Sequence, residues 1–414
     1  MKTINRYVIV VYTVLFGVVG RAQDSVYTQM RGVWFSTVVN IDWPTKEAVG
    51  ISQKQQEEMI DLLDRLEELN INTVFFQVRP TADALYRSEL EPWSEWLTGK
   101  QGRDNDVSYD PLEMMIEEAK QRCMDVHVWI NPYRVTMKTT TTDSLAANHL
   151  YRLYPDHFWK YDGQWYFDPA RQETIDWLCR VVADLVQRYD VKGVHMDDYF
   201  YPYPDRKTSL PDANMFKKDS RGFTDIADWR RDNVNRAVKA LHDTIKAIKA
   251  DVQFGISPFG IWRNEKTDPR GSKTNGMQTY DDQYADVLLW MQEGWIDYVV
   301  PQLYWAIGSR AADYQELSHW WAEQAEQYPQ CKLYIGMAAY QQKDPEQIIR
   351  NKGKVNLNDP WSRGNELCRQ MRLNRQLPQV QGEVFFSTKP LLANPNHFCD
   401  SLKRTFYPTF VPAP

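Results

Sequence analysis

The segment MIDLLDRLEELNINTVFFQVR, residues 59–79, contains one complete helix-to-strand unit. Its first part carries apolar residues at the spacing that gives a helix one apolar face. Those residues are Met59, Leu62, Leu63, Leu66 and Leu69. Residues 70–72 form a short connection, and residues 73–79 are a β-branched and aromatic run typical of a strand. The segment therefore predicts an amphipathic helix that leads directly into a buried strand.

The same alternation of strand and helix recurs along the whole chain. Eight runs are predicted as strands, at residues 30–37, 73–79, 125–131, 193–197, 253–257, 298–304, 332–337 and 382–387. Strands that alternate with helices predict a parallel sheet. Eight such units predict an α/β protein with a single (β/α)8 TIM barrel, and we expect residues 23–414 to form that one domain.

The loops of the predicted barrel differ in length at its two ends. Helix-to-strand connections are short, whereas long strand-to-helix loops cover residues 80–108, 132–170, 199–222, 258–279 and 338–360. This places the long loops on the C-terminal face, where barrel enzymes hold their active sites. Eight of the 16 tryptophans lie in strand-to-helix loops, and we expect about half to pack those loops and the others to face a ligand. They are Trp43, Trp93, Trp96, Trp159, Trp165, Trp262, Trp305 and Trp361.

The composition of the 414 residues is that of a globular protein, with 43% hydrophobic and 25% charged residues. A net charge of −6 without a Lys/Arg run argues against nucleic acid as a partner. Five widely spaced cysteines include no CxxC pair, which argues against a structural zinc site. We interpret them as mainly buried residues and leave one disulfide open. No glycine-rich phosphate loop follows the first strand, and no cofactor is predicted.

The N-terminus has the pattern of a secretory signal peptide. Lys2 and Arg6 precede 13 apolar residues at 7–19, and Gly20 and Ala22 give small residues before a cleavage site. A run of 13 residues is too short to cross a bilayer core of about 30 Å as a helix. We therefore expect residues 1–22 to be removed, a mature protein that is secreted or periplasmic, and no membrane span after cleavage.

The sharpest candidate for chemistry is GVHMDDYFYP at residues 193–202. Alternation along a strand predicts that His195 and Asp197 face the barrel axis while Val194 and Met196 face the helices. Asp197 is then the last inward residue of the fourth strand, at the position where barrel enzymes hold catalytic groups. Asp198 begins the loop, and both a catalytic and a structural role remain open for it.

Polar and aromatic residues at the other strand ends are predicted to surround Asp197. Amides, hydroxyls and cations around one carboxylate suit a polyhydroxylated ligand held by many directional hydrogen bonds. The candidate substrate-binding residues are Trp34, Trp43, Gln77, Arg79, Asn131, Tyr133, Arg134, His195, Tyr199, Ser257, Trp262, Gln302, Tyr304 and Trp305.

Several longer motifs resemble the glycosyl-hydrolase-like family 10 of secreted bacterial proteins. They are RGVWFST at 31–37, NIDWP at 40–44, FQVRP at 76–80, WINPYR at 129–134, HMDDYFYP at 195–202, ISPFG at 256–260 and PQLYW at 301–305. The resemblance runs from about Met30 to near Ser387. It implies a (β/α)8 barrel that hydrolyses glycosidic bonds in a polysaccharide, with Asp197 as a catalytic carboxylate. Peptide-free peptidoglycan strands are the substrate that it suggests.

The sequence does not identify a second catalytic carboxyl group. Glycoside hydrolysis normally uses two carboxyl groups, unless an N-acetyl group of the substrate replaces one of them. The sixth and seventh strands end without one, so the partner must come from a loop. The candidates are Asp42, Asp83, Glu89, Glu91, Glu95 and Asp198.

Two other functions remain as alternatives. A glycan-binding barrel without catalysis would explain a missing second carboxylate. Metal-assisted hydrolysis at His127, His195 and Asp197 is the more distant alternative, because no HxH, HExxH or Cys/His spacing supports a metal site.

Overall fold

Eight parallel strands close into a barrel in chain order. The computed structural model describes residues 27–104, 107–138, 140–205, 207–350, 353–356 and 358–414, so the predicted signal peptide lies outside the described residues. Each strand pairs with its neighbours in the chain, and the last pairs with the first, which confirms the predicted (β/α)8 barrel. The strands are β1 (Met30–Phe35), β2 (Thr73–Arg79), β3 (Asp125–Ile130), β4 (Gly193–Met196), β5 (Gln253–Ile256), β6 (Tyr298–Val299), β7 (Lys332–Met337) and β8 (Val380–Phe385).

Helices connect the strands and cover the outside of the barrel. The main ones are α1 (Ser52–Glu67), α2 (Pro111–Gln121), α3 (Gln172–Arg188), α4 (Ile226–Ile248), α5 (Val287–Gln292), α6 (Tyr314–Gln327) and α7 (Glu366–Asn374). Helix α1 buries Met59, Leu62, Leu63 and Leu66, as its apolar spacing predicts. After β8 the chain forms the short turns Thr388–Leu392, Phe398–Ser401 and Leu402–Phe406. Within the described ranges, no helix is both long and apolar enough to cross a bilayer.

The long strand-to-helix loops carry their own small elements. A two-stranded antiparallel hairpin, Phe158–Tyr161 with Gln164–Phe167, lies in the loop after β3. Short helices in the loops are Glu95–Thr98, Leu150–Leu153, Ala213–Lys218, Thr279–Asp282, Pro345–Arg350 and Pro360–Arg363. Single turns are Val38–Asn40, Lys46–Ala48, Thr142–Ser144, Pro155–His157, Ala339–Gln341 and Pro395–His397.

The sixth strand is much shorter than predicted. It ends at Val299 instead of residue 304, because Pro301 has no N–H to give to a neighbouring strand. The parallel arrangement continues beyond the proline through isolated bridges from Gln302 to Phe259 and to Gly336. The predicted inward direction of Gln302 is therefore retained although the regular ladder is interrupted.

Aromatic rings fill the barrel interior, and glycines on neighbouring strands leave room for them. A buried cluster inside the barrel includes Trp34, Phe75, Trp129, Tyr298 and Tyr334. A Cβ atom at Gly255 would lie 2.1 Å from the Tyr298 ring, and one at Gly193 would lie 2.3 Å from Nδ1 of His127. Only glycine permits so close an approach between a strand backbone and a buried ring.

The C-terminal residues cover the opposite end of the barrel. Arg31 donates from Nη1 to the carbonyl of Thr409 at 2.6 Å, and Asn72 donates from Nδ2 to the carbonyl of Val411 at 2.8 Å. Both donors lie at the N-terminal ends of strands. The loops that carry the candidate site therefore occupy the other end.

All five cysteines are unpaired, which overturns the alternative of one disulfide. Three of them are buried, Cys179 is half-buried and Cys123 is exposed, so the interpretation as mainly buried residues holds for most of them. The buried three are Cys331, Cys368 and Cys399.

The close approach at Gly255 predicts a large loss of stability in Gly255→Ala. The Tyr298 ring is buried on every side, and forcing extra atoms into a packed core costs about 1–3 kcal/mol or more. We expect the free energy of unfolding in urea to fall by about 3 kcal/mol. Gly364→Ala is the matched control: Gly364 has φ of −168° and no heavy atom within 4 Å of the position that an alanine Cβ would occupy, so we expect a change within about 0.5 kcal/mol. Equal stability in both variants would contradict this packing of Tyr298 against the β5 backbone.

Candidate active site

A cleft opens at the C-terminal ends of the strands, directly above the aromatic interior. Its volume is about 210 Å³. Two carboxyl groups, one cation and a wall of aromatic rings face it. Its lining consists of Trp34, Ser36, Val38, Ile41, Gln77, Trp129, Arg134, Asp197, Asp198, Tyr199, Tyr203, Ser257, Gln302, Tyr304 and Phe386.

The carboxylate of Asp197 is held by donors from the neighbouring strand and from its own loop. Nε1 of Trp129 donates to Oδ2 at 3.0 Å, and Nδ2 of Asn131 lies 3.1 and 3.2 Å from the two oxygens. The backbone N–H of Tyr199 donates to Oδ1 at 3.2 Å. Burial raises the pKa of Asp197, while the Arg134 cation and these hydrogen bonds oppose that rise. The donors therefore stabilise the ionised form of a deeply buried carboxyl group.

Asp198 lies in the same cleft but has a different environment. The hydroxyl of Tyr203 donates to its Oδ2, and its carbonyl accepts from Nε2 of Gln283 at 2.5 Å. Burial, followed by the nearby Asp197, raises the pKa of Asp198 to about 6. Gln302 and Tyr203 only partly oppose this rise. Of the two acids, Asp198 is the one whose pKa is raised to about 6, so below that pH the pair can combine a proton donor with an ionised carboxylate.

A buried hydrogen-bond chain forms the floor beneath these acids. Nε1 of Trp34 donates to Nε2 of His195 at 3.1 Å, so this ring nitrogen carries no proton. The proton of neutral His195 then sits on Nδ1, which donates to the Tyr298 hydroxyl at 3.2 Å. That hydroxyl donates in turn to Nδ1 of His127 at 2.9 Å. Both imidazoles thus form hydrogen bonds inside the barrel. This series of hydrogen bonds orients the Trp34 ring, which lines the cleft.

The floor residues do not form the metal site that the sequence left open. Both ring nitrogens of His195 are engaged by Trp34 and Tyr298. Among the residues that the structure describes, no group of three His, Cys, Asp or Glu side chains is placed to hold a metal ion.

Gln77 connects the cleft to the loop after β1. Its Oε1 accepts from the backbone N–H groups of Thr37 and Val38 at 3.0 and 2.9 Å. These bonds fix which end of the amide is oxygen. Its Nε2 is buried and has no hydrogen-bond partner within the described part of the chain. Gln77 therefore presents an available donor to a ligand in the cleft.

The structure brings seven of the predicted substrate-binding residues together around Asp197 and Asp198. Each of the seven lies on the inward side of a strand end or in the loop directly after it. They are Trp34, Gln77, Arg134, Tyr199, Ser257, Gln302 and Tyr304.

Two predicted residues lie just behind the cleft wall instead of facing it. Asn131 contacts Asp197 through Nδ2 and accepts from the backbone N–H of Arg134 at 2.9 Å, so it positions two residues of the cleft. His195 lies beneath Trp34 in the barrel interior. Their contacts reach a ligand only through other side chains.

The other predicted residues lie outside the cleft because loop structure engages them. Arg79 forms a buried two-pronged ion pair with Glu91, with N–O distances of 2.7 and 2.6 Å. Trp43 packs into the core against Phe35 and Phe76. Tyr133 and Trp262 are also buried in loop cores, and Trp305 packs edge-on against Phe259 outside the lining.

Asp42, predicted as a catalytic candidate, joins two loops instead. Its Oδ2 accepts from the N–H of Ser36 at 2.8 Å, and its Oδ1 accepts from Oγ of Ser387 at 2.9 Å and the N–H of Lys389 at 2.8 Å. Burial raises its pKa to about 6, but it does not line the cleft.

The other candidate acids of the β2 loop are placed elsewhere. Asp83 is buried and accepts from the N–H of Thr81 at 3.1 Å, while Glu91 is paired with Arg79. Glu89 is exposed, and Glu95 accepts from the hydroxyl of Thr140 at 3.2 Å. Of the six carboxyl groups considered as partners of Asp197, only Asp198 lies in the cleft with it.

The sequence analysis did not predict six residues that line the cleft. They are Ser36, Val38, Ile41, Trp129, Tyr203 and Phe386. Trp129 lies between the inward residues His127 and Asn131 in the alternation along β3, so this alternation would have predicted that Trp129 faces inward. Tyr203 lies in an irregular loop, where no periodicity shows the direction of a side chain. None of the eight loop tryptophans lines the cleft, and seven of them, all except Trp96, pack in or against the hydrophobic core.

Comparison with known proteins agrees with this architecture. The family profile described as glycosyl hydrolase-like 10 matches residues 29–352. The chain belongs to this family. It is similar to glycosyl hydrolase YngK of Bacillus subtilis, with 44% identity over 99% of this chain and 79% of the relative. Glycosyl hydrolase DigH of Escherichia coli K12 is 40% identical over 86% of this chain and 82% of the relative.

A solved structure shares the fold. The glycoside hydrolase domain of PgaB (BpsB) from Bordetella bronchiseptica superposes with a TM-score of 0.53 over 91% of this chain and 98% of that domain. With 11% sequence identity, this likeness concerns the barrel alone.

The hydrogen-bond chain under the cleft predicts fixed tautomers for two histidines. We expect nitrogen NMR correlation spectra to show His195 protonated at Nδ1 and His127 at Nε2, with no titration between pH 8 and pH 5. Burial lowers the pKa of both rings, that of His127 to about 3. Unfolding returns each ring to a pKa of about 6.5, so the unfolded chain takes up these protons first, and stability is lost as pH falls from about 6.5 toward the lowered pKa values of the folded rings.

His127→Gln and His195→Gln assign the two sets of signals. A proton on Nε2 of His195, or titration of either ring near pH 6.5, would contradict the direction of this chain.

Proposed function

We propose that the chain is a glycoside hydrolase in which Asp198 is the general acid and Asp197 the ionised carboxylate. The observation that carries this proposal is the presence of two neighbouring carboxyl groups with different environments in one aromatic cleft. Glycoside hydrolysis requires such a division of roles. The position at the C-terminal end of β4 agrees with the location of active sites in barrel enzymes.

The proposed chemistry starts with the proton that Asp198 holds. This proton passes to the glycosidic oxygen as the bond from that oxygen to the anomeric carbon breaks. The ionised Asp197 stabilises the positive charge that develops on the sugar ring. Water then supplies the new hydroxyl group, and its proton returns to the carboxyl pair. Trp129 and Asn131 keep Asp197 in position throughout, since both contact it directly.

The remaining lining suits a sugar ring. The partly exposed rings of Tyr304 and Phe386 supply flat apolar surfaces for the C–H faces of a ring. Gln77, Arg134 and Ser257 provide groups that can bind hydroxyl oxygens around its edge. The alternative of a glycan-binding barrel without catalysis rested on a missing second carboxylate, and Asp198 supplies a group for that role.

We propose peptide-free peptidoglycan glycan strands as the polysaccharide and the periplasm or the exterior as the place of action. The family motifs support the substrate, and the charged and apolar pattern of residues 1–22 supports removal of a signal peptide and export. We further propose that residues 23–414 act as one barrel domain. A digest of purified peptide-free strands, with products identified by mass spectrometry, tests the substrate directly.

Replacing either acid is expected to stop hydrolysis without removing binding. For Asp198→Asn and Asp197→Asn we expect kcat to fall by about 10²–10⁴, because each variant loses a group that acts in the transition state. Ligand affinity should stay within about tenfold, as most contacts to the ground state survive. Release of reducing ends measures the first quantity, and calorimetric titration with the same glycan measures the second.

Asp42→Asn is the matched control for these variants, because Asp42 is also a buried acid with a raised pKa but lies outside the cleft. A loss of activity in Asp42→Asn at unchanged folding, with full activity in Asp198→Asn, would reverse the assignment.

The pKa of Asp198 predicts how activity depends on pH. A general acid must be protonated, so kcat/KM should fall about tenfold for each pH unit above about 6. The same raised pKa lies above the unfolded value of about 3.9, so this group stabilises the fold at low pH and the contribution is lost as pH rises through about 6. Asp198→Asn should therefore gain stability relative to the parent at pH 8 but not at pH 3.5, as thermal unfolding can show. A basic limb that begins near pH 9 would exclude Asp198 as the acid.

A further inference from the structure

A second depression lies beside the cleft on the same face of the barrel. Its volume is about 520 Å³, compared with about 210 Å³ for the cleft. The loop after β7 and the turns after β8 form its walls. We call it the outer groove; its lining includes Tyr340, Gln347, Ile348, Lys354, Pro390 and Pro395.

Tyr340 separates the outer groove from the cleft. Its ring makes edge-to-face contacts with Tyr304 at 5.9 Å and with Phe386 at 6.1 Å between ring centroids. Both partners line the cleft, whereas Tyr340 lines the groove. Its backbone N–H donates to the carbonyl of Phe386 at 3.3 Å, and 48% of the side chain stays exposed. One continuous set of rings thus leads from the cleft into the groove.

The size of the cleft requires a binding surface beyond it. Sites that enclose a drug-sized ligand measure about 300–1,000 Å³, and the cleft lies below that range. A polysaccharide must continue out of such a cleft on at least one side of the cleaved bond. The outer groove is larger than the cleft, is open and lies next to the aromatic wall. A polysaccharide that leaves the cleft past Tyr304 therefore enters the outer groove.

The chemistry of the outer groove fits sugar rings. Ile348, Pro390 and Pro395 provide apolar surface, and Tyr340 adds an exposed ring. The side chains of Gln347 and Lys354 have no hydrogen-bond partner or ion pair among the residues that the structure describes. A lining that combines apolar surface with available amide and ammonium donors matches a molecule with apolar C–H faces and hydroxyl oxygens.

We propose that the outer groove binds the sugar units next to the cleaved bond, with Tyr340 as their stacking platform. This inference rests on the proposed glycosidase function and adds to it a binding site for the part of the glycan that lies outside the cleft. It implies that affinity grows with the length of the glycan, because only longer ligands reach from the cleft into the groove.

The test compares a series of glycan oligomers of increasing length in the full chain. For Tyr340→Ala we expect kcat/KM on long oligomers to fall about tenfold, mainly through KM, while values for the shortest hydrolysed oligomer stay within about twofold. Tyr340→Phe should restore the parent values, because it retains the ring. Phe410→Ala is the matched control, since Phe410 is a 45% exposed ring in the C-terminal segment at the opposite end of the barrel.

This series distinguishes failure of the outer-groove proposal from failure of the proposed hydrolytic function. Equal losses on short and long oligomers would place the effect of Tyr340 in the cleft and overturn the groove proposal, as would parent behaviour at every length. If the parent hydrolyses no oligomer at all, calorimetric titration of the same series still tests the groove, because binding that strengthens with length and depends on Tyr340 needs no turnover. In that case hydrolysis fails as the function while the groove remains.

Discussion

The hydrogen bonds that Trp129 and Asn131 give to Asp197 depend on the register between β3 and β4. Trp129 pairs with His195 in that register, so the inward side chains at the end of β3 lie beside Asp197, the residue that follows β4. A slip of one residue would turn these side chains toward the helices and leave a buried carboxylate without donors. The layer beneath restricts such a slip, because Gly193 leaves space for the His127 ring where any other residue would collide with it. The packing of the barrel interior thereby fixes the position of the Asp197 carboxylate at the C-terminal end of the barrel.

Two adjacent residues just after a strand acquire different properties because each side chain has different neighbours. Asp197 turns toward the donors of β3, whereas Asp198 turns toward Tyr203 and Gln302. Two buried carboxylates at close range cannot both ionise at low cost, so the one with more hydrogen-bond donors and a nearby cation takes the charge and the other keeps the proton more readily. An acid and a base can therefore come from one dipeptide, without a carboxylate on the sixth or seventh strand.

The fold and the centre of the site could be predicted because both follow from periodicity. The stripe of α1 and the run at 73–79 gave the helix and strand directly, and alternation along β4 gave the inward direction of Asp197. The predictions that failed concern loops, where direction depends on partners distant in the chain. Arg79 follows the same alternation as Gln77, but a glutamate 12 residues later draws it into a buried ion pair. Residue spacing cannot predict this ion pair, because it depends on how the loop after β2 folds back.

The loop after β1 links ligand binding to backbone conformation. Val39 and Asn40 adopt φ values of 55° and 56°, a left-handed conformation that costs a β-branched residue such as Val39 about 1–3 kcal/mol. The loop is held in this state by Gln77, whose Oε1 accepts from the two backbone N–H groups just before Val39. The other end of the same amide faces the cleft with an unused donor. A ligand oxygen at Nε2 would strengthen the bonds at Oε1, because hydrogen bonds in a low-dielectric chain polarise one another. The left-handed conformation of this loop and the unused donor in the cleft are therefore linked through a single amide group.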